Sequence, residues 1–343
     1  MSDVRARKAL RGEPTDCIPL FDQPGHPGFL KKLTGIDPFE NTEQAIAKAV
    51  ALLDIDLLVG SVERQTQSKA GDPHLYGLNT TAWRHAGSTR ADIFSYDPAR
   101  DRPGDPAGMD EQTCRAFLQA RLDRDRRLVG QTVLPIGFTY TTCIQYAAED
   151  LHWPEFLMAT VTGDKHIPAL LDRCEAASAK IYRAYAATDV EVLFTHDDIA
   201  MTTGLIYSPE WLREQLLRRY RRLFALLKAR QIPVLFSTDG RFVDVAQDLV
   251  AAGADGFFLD TPCVTLEEIV KLCGNNLVYF TGPAPATMRC GTPARIRDEI
   301  RRMAEIARDL PRFFFHMVGG WTHDTPIANV QAFYEACRKW GAR

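Results

Sequence analysis

The chain has 343 residues, 45% of them apolar and 25% charged, which gives ample material for a core and excludes disordered and fibrous classes. Its 41 basic and 44 acidic side chains leave a formal charge of −3, so no general field draws it to nucleic acid or to an anionic bilayer. An anionic partner would have to be held by local groups.

The opening residues Met1 to Arg7 run into a charged, helix-like stretch without the apolar run of about 7–15 residues that marks a secretory leader. No uninterrupted apolar stretch reaches the roughly 18 residues of a membrane span. The eight cysteines contain no C-x-x-C pair, and a chain of this length needs no covalent staples. The expectation is a cytoplasmic protein with reduced thiols.

Short runs rich in Val, Ile, Leu and Phe recur along the chain. The first is Cys17 to Phe21, followed by a helical pattern at Thr42 to Leu53 and a second run at Asp56 to Gly60. Residues 61–127 break the alternation: Gln65 to Tyr96 is polar, Asp97 to Asp110 carries Pro98, Pro103 and Pro106, and a short helix is expected near Glu111 to Arg124. Such an insertion suits an active-site cover or an oligomer contact, including a homodimer. The third strand is expected at Leu128 to Gly137, two helices within Trp153 to Tyr185 with Thr162 or Asp164 capping the second, and the fourth strand at Val190 to Thr195. Then come a helix at Pro209 to Arg230, a strand at Ile232 to Ser237, a helix at Val243 to Ala252, and a strand at Gly256 to Asp260. A helix at Leu266 to Leu272 leads to the strand Leu277 to Thr281. Pro293 to Leu310, capped by Thr292, leads to the last strand at Phe313 to Val318, and Ile327 to Trp340 closes the chain. Apolar strands alternating with helices are the pattern of parallel strands buried on both faces. Eight such units favour an α/β protein in which residues 1–343 form a single (β/α)8 TIM barrel, with an irregular insertion after the second strand, over an open doubly wound sheet.

In a barrel the reactive groups sit at the carboxyl ends of the strands, where this chain is polar. The first strand is followed by Asp22, Gln23 and His26, the second by Glu63 and Arg64, the third by Thr139 and Tyr140. The fourth gives His196, Asp197 and Asp198, the fifth Ser237, Asp239 and Arg241, the sixth Asp260, and the eighth His316, Trp321, His323 and Asp324. Adjacent carboxylates resist joint ionisation, so one of Asp197 and Asp198 can hold a proton for acid chemistry. The plain alternative is that one of them caps a helix or anchors a turn. Asp239 lies in a glycine-containing turn and is either near the barrel axis or a simple turn residue. The basic run Arg213, Arg218, Arg219, Arg221 and Arg222 reads as a solvated helix face balanced by Glu210 and Glu214, not as an RNA surface. Trp321 either walls a flat ligand or packs in the core. His316 with His323 is the sole close pair of metal-ligand type; no metal ligand is assigned, although zinc stays possible through a tetrahedral site assembled from separate strands.

The order of segments resembles the uroporphyrinogen decarboxylase superfamily, which contains the decarboxylase and methyltransferases serving corrinoid proteins or coenzyme M. The resemblance is carried by Ala9-Leu10-Arg11-Gly12-Glu13-Pro14-Thr15-Asp16-Cys17-Ile18-Pro19, by His196-Asp197-Asp198-Ile199-Ala200 and by Gly204-Leu205-Ile206-Tyr207-Ser208-Pro209-Glu210. It continues through Ser237-Thr238-Asp239-Gly240, Ala252-Gly253-Ala254-Asp255-Gly256, Gly291-Thr292-Pro293 and Asp324-Thr325-Pro326-Ile327-Ala328-Asn329-Val330. It implies a (β/α)8 barrel independently of the strand pattern. The decarboxylases grip substrate carboxylates with an arginine-rich segment after the first strand, whereas Phe21 to Phe29 here contains no arginine. The zinc-thiol methyltransferases use a His-x-Cys pair and a later Cys, and those places hold Ser237, Asp239 and, approximately, Gly319. The resemblance therefore implies a methyltransferase that moves a methyl group from a small O- or N-methylated substrate to a corrinoid carried by a partner protein, without the family's zinc ligands. Asp198 or Asp197 is the expected acid, tuned by His196, with Asp239 and Tyr140 orienting the substrate. Gln23, His26, Arg64, Tyr207, Ser237, His316 and Trp321 complete the expected binding set, with Asp198, Asp239 and His316 converging on one hollow. Decarboxylation or proton transfer on a small acid, and a non-catalytic barrel binding a tetrapyrrole or small ligand, are the alternatives.

Overall fold

The computed structural model describes residues 2–58, 94–130, 134–151, 153–260 and 262–343. Its strands are β1 (Leu20–Phe21), β2 (Leu57–Leu58), β3 (Leu134–Pro135), β4 (Gly137–Thr139), β5 (Leu193–His196), β6 (Ala200–Met201), β7 (Gly204–Leu205), β8 (Val234–Ser237), β9 (Gly256–Phe258), β10 (Val278–Thr281) and β11 (Phe313–His316). Nine of them form one sheet in the order β3-β2-β1-β11-β10-β9-β8-β5-β4, and β6 pairs with β7 in an antiparallel hairpin. Strands β3 and β4 stand at the two ends of that order, yet only Ile136 separates them in the chain. They are the halves of one strand position, which reduces nine strands to the eight expected.

The third strand begins later than the apolar run suggests. Leu128 and Val129 belong to the helix Glu111–Val129, because Cys114, Leu118, Leu122, Asp125 and Val129 are all buried at helical spacing. The helix is thus longer than the Glu111 to Arg124 expected, and residues 61–93 of the expected insertion lie outside the described residues. Other helices follow the pattern closely: Thr42–Leu53 and Ile327–Trp340 have the expected bounds. Trp153 to Tyr185 divides into Trp153–Val161 and Ile167–Ala186, and Thr292 accepts a hydrogen bond from the Arg295 amide at the start of Pro293–Ile306.

Two compact units divide the chain. The first comprises Met1–Thr80, Leu122–Ile136 and Phe257–Arg343. In it β1 lies between β2 and β11, with Leu20 opposite Phe315 and Phe21 opposite His316, all parallel. Asp56 is buried and accepts from the Leu20 amide at 2.8 Å and from Arg5 at 2.8 Å. Burial pushes its carboxyl up to about 7 despite those donors. The two ends of the chain meet here, since the Ile18 amide donates to the Gly341 carbonyl and the Arg343 amide to that of Asp16.

The second unit comprises Thr81–Arg121 and Gly137–Gly256. Strands β4, β5 and β8 run parallel, with Phe194 between Phe138 and Leu235 in register. A Cβ on Gly137 would stand 2.9 Å from the side chains of Leu193, Tyr185 and Val190, so a bare backbone is needed for β4 to pack there. The expected helix Pro209 to Arg230 contains a π-turn at Leu212–Leu217 before continuing as Arg218–Lys228. Within its basic run Arg219 is buried and not on the solvated face expected, donating to the Pro168 carbonyl at 3.1 Å and to Asp172 at 2.5 Å. Of the exposed members, Arg213 pairs with Asp248 and Arg222 with Glu175, in place of Glu210 and Glu214. Arg102, also buried, forms a two-pronged pair with Asp150 and reaches Glu149, which anchors the segment before Glu111.

Candidate functional site

Strand β5 ends on His196, whose register partner on β8 is Ser237. Side chains alternate along a strand, so Thr195 turns one way, its hydroxyl hydrogen-bonded to those of Thr142 and Tyr182, and His196 turns the other. His196 is buried, and its ring stacks on Tyr140 with centroids 4.3 Å apart and planes 10° from parallel. Its Nδ1 donates to the Tyr140 carbonyl at 3.2 Å. A carbonyl can only accept, so the proton of the neutral imidazole sits on Nδ1 and the Nε2 lone pair points away from the backbone.

That lone pair meets Asp198, whose Oδ1 stands 3.3 Å from Nε2. The same Oδ1 is shielded from solvent and has no hydrogen-bond partner among the described residues. Asp239, on the turn after β8, completes a group of three: one ligand atom from each of His196, Asp198 and Asp239 lies within 4.8 Å of the others. The turn is held from behind. Gly240 has φ +79, and a Cβ there would fall 2.3 Å from the backbone of Met201, so only glycine fits. The next amide, of Arg241, donates to the Met201 carbonyl at 2.9 Å. Thr238 accepts from the Ile199 amide at 3.1 Å, tying the same turn to the residue after Asp198.

The neighbouring Asp197 is a different kind of carboxylate. It is fully buried, accepting from the amides of Ile144 and Gln145 at 2.9 and 2.5 Å and from the Tyr220 hydroxyl at 2.7 Å. Thr142, the residue before helix Cys143–Asp150, makes no capping hydrogen bond of its own, so Asp197 takes the free amides of that helix's first turn. Burial raises its carboxyl to about 7 against the pull of those donors. Gln145, placed by the same helix, returns a contact by accepting from the Asp198 amide at 3.1 Å. Tyr140 and Tyr207 lie in the same unit. Burial raises both phenols, and the buried Tyr207 hydroxyl has no hydrogen-bond partner among the described residues, its ring stacked on Trp211.

His26, Gln23, His316 and Trp321 lie in the first unit. His26 caps helix Pro27–Thr34 by accepting from the Phe29 amide, and its Nε2 donates to the Thr325 carbonyl at 2.9 Å. Both ring nitrogens are thereby used by the fold, and the ring does not present itself to a guest. Trp321 is likewise committed, buried with its indole N–H on Asp22 at 3.1 Å, so the core role and not the ligand wall is the one it fills. Asp22 also accepts from Tyr334 at 2.7 Å and from the Gln23 amide, and burial lifts its carboxyl to about 6. His316 donates from Nδ1 to the Phe21 carbonyl at 2.8 Å, and burial lowers its imidazole to about 4. Arg64 lies outside the described residues. Residue patterns gave no sign of Gln145 or Tyr220, since neither stands at a strand end and each is brought to Asp197 by a helix.

A sequence model of uroporphyrinogen decarboxylase (URO-D) matches residues 120–340, more than half of the chain. The chain belongs to the uroporphyrinogen decarboxylase family. A solved methyltransferase from Methanosarcina mazei has the same fold, with TM-score 0.66 at 16% identity over 98% of each chain, and the (β/α)8 TIM barrel expected from the strand pattern is the fold of this protein. D-psicose 3-epimerase from Clostridium cellulolyticum H10 is a more distant likeness, TM-score 0.43 at 10% identity over 68% of this chain and 88% of that one. No curated protein matches the chain in sequence. No described helix is long and apolar enough to cross a membrane. The thiolate zinc site known in part of the family does not fit: its positions hold a buried hydroxyl in Ser237, a carboxylate in Asp239 and a glycine at 319.

Proposed function

We propose that the protein is a methyltransferase that demethylates a small O- or N-methylated compound in favour of a corrinoid protein. The observation that carries this reading is the opposition of His196 Nε2 and Asp198 Oδ1, 3.3 Å apart at the mouth end of β5, with Asp239 beside them. Two acceptors that face each other are satisfied by one shared proton, and that proton is available to a guest. The substrate's methyl carbon forms a bond to the nucleophile of the reduced corrinoid acceptor as its bond to oxygen or nitrogen breaks. The electron pair of the broken bond stays on that heteroatom, which takes the proton from the His196–Asp198 pair. Such acid assistance is worth about 10²–10⁴-fold in rate. Asp198 is the acid in this scheme and Asp197 its fixed neighbour, because Asp197 spends both oxygens on the helix at Cys143–Asp150 and on Tyr220. Tyr140, stacked on His196, together with Asp239 and Tyr207, orients the substrate.

Membership of a family named for a decarboxylase keeps carboxylated substrates in view, but the stretch Phe21 to Phe29 contains no arginine to pair several acetate groups, and leaving such charges unpaired costs several kcal/mol. The test is incubation of the purified protein with cob(I)alamin and a panel of methoxylated and N-methylated compounds, read by formation of methylcobalamin, alongside carboxylated compounds read by carbon dioxide release. Methylcobalamin is expected with at least one donor, falling about 10²-fold or more in Asp198→Asn. Folded protein that releases carbon dioxide and transfers no methyl group would overturn the reading.

A further inference from the structure

The three groups at the strand ends have the donor chemistry and the spacing of a metal centre. We infer that His196, Asp198 and Asp239 bind one divalent transition-metal ion, through a ligand set that shares only the position of Asp239 with the thiolate zinc site of the family. The inference rests on this cluster being the reaction site, and it replaces the shared proton by a cation.

The first observation is the tautomer of His196. A metal-bound imidazole characteristically donates its other N–H to a carbonyl or carboxylate, which fixes the ring and leaves one lone pair for the ion. His196 does this to the Tyr140 carbonyl, is buried, and is held flat against the Tyr140 ring. The second observation is on the facing side: Asp198 Oδ1 is screened from water and, among the described residues, has no hydrogen-bond donor when Nε2 carries no proton, an arrangement that costs free energy unless something positive fills the gap. The third is metric. Ligand atoms bonded to one tetrahedral ion at about 2.0–2.1 Å stand about 3.3–3.4 Å apart, and Nε2 and Oδ1 stand 3.3 Å apart. Asp239 is within 4.8 Å of both and exposed, so a side-chain rotation brings it to bonding distance.

One imidazole and two carboxylates suit Zn²⁺, Mn²⁺, Fe²⁺ or Co²⁺ more than Cu⁺, which prefers thiolates, or Ca²⁺, which takes six to eight oxygens. Three protein ligands leave a coordination position open, the pattern of catalytic and not structural sites. That position would hold the leaving oxygen or nitrogen of the substrate, so the electron pair released when the bond to the methyl carbon breaks is stabilised by the cation.

The test uses the full chain, stripped with chelator and titrated with Co²⁺ alone, read by calorimetry and by the visible absorption of protein-bound Co²⁺. One equivalent is expected, with affinity at least tenfold weaker in Asp239→Asn and in His196→Ala, and unchanged in His166→Ala, a surface histidine paired with Asp164. Circular dichroism and denaturant unfolding check that both variants keep the fold. Absence of saturable binding, or binding that the Asp239 variant leaves untouched, overturns the inference. Full methyl transfer by the stripped protein in excess chelator also overturns it while leaving the proposed function standing. Stoichiometric binding without any methyl transfer supports the metal site and removes the function.

Discussion

At the scale of single residues, the two runs of chemistry after β1 and β5 differ in how their carboxylates are spent. Asp22 is surrounded by the Tyr334 hydroxyl, the Trp321 indole and the Gln23 amide, and burial still carries it from 3.8 to about 6. A carboxyl raised on folding stabilises the protein fully below its unfolded value and loses that contribution as pH rises through its folded value. The stability of the wild type relative to Asp22→Asn should therefore shrink by about 2–3 kcal/mol between pH 4 and pH 7, measured by denaturant unfolding of both proteins at each pH. His316, lowered to about 4, works in the opposite direction over an overlapping window but is common to both proteins and cancels. Parallel stability profiles would show that Asp22 is not held as described. The strand-end rule found Asp22, His196, Asp198 and Asp239 from the sequence because apolar runs locate strand ends well. It could not tell a group that serves a guest from one that serves the fold. His26 and Trp321 stand at strand ends too, and only their hydrogen bonds to Phe29, Thr325 and Asp22 assign them to the framework.

At the scale of elements, the helix that follows the β6–β7 hairpin shows where periodicity misleads. Its basic residues recur so often that the sequence suggests a wet face, but Arg219 and Tyr220 are buried on the apolar stripe that Leu212, Leu216, Leu223 and Leu227 form at helical spacing. Arg219 links this helix to Ile167–Ala186 through the Pro168 carbonyl and Asp172, whereas Arg222 is more than half exposed in its pair with Glu175. Replacing Arg219 by Ala is expected to cost roughly 2–4 kcal/mol, and Arg222→Ala less than about 1 kcal/mol, compared by urea midpoints. Equal losses would mean that Arg219 contributes no more than a surface ion pair. Tyr220 is the member of the site least legible in the sequence, since it reaches Asp197 from within a helix and not from a strand end.

For the whole molecule, the eight-unit alternation was readable because parallel strands buried on both faces are continuously apolar, as in the fully buried β8, β10 and β11. The third position was blurred by an adjoining buried helix whose apolar residues merge with the strand in one run. The family match begins at residue 120, yet β11 takes its parallel neighbour β1 from the first 21 residues, and Asp16 and Ile18 bond to Arg343 and Gly341. A fragment of residues 120–343 should accordingly lack a cooperative unfolding transition and bind a hydrophobic dye, while the full chain unfolds sharply. A fragment that unfolds cooperatively would show that the N-terminal strand is dispensable.

The close seating of Gly240 on Met201 has a bearing on how such a site changes in evolution. Main chain meets main chain there, so the anchorage of the turn that carries Asp239 is inherited from the backbone and is indifferent to which side chains decorate the hairpin tip. Met201, Thr202 and Thr203 are exposed at that tip. Substitutions at those three positions can change what the exposed tip meets while the turn behind it keeps its anchorage.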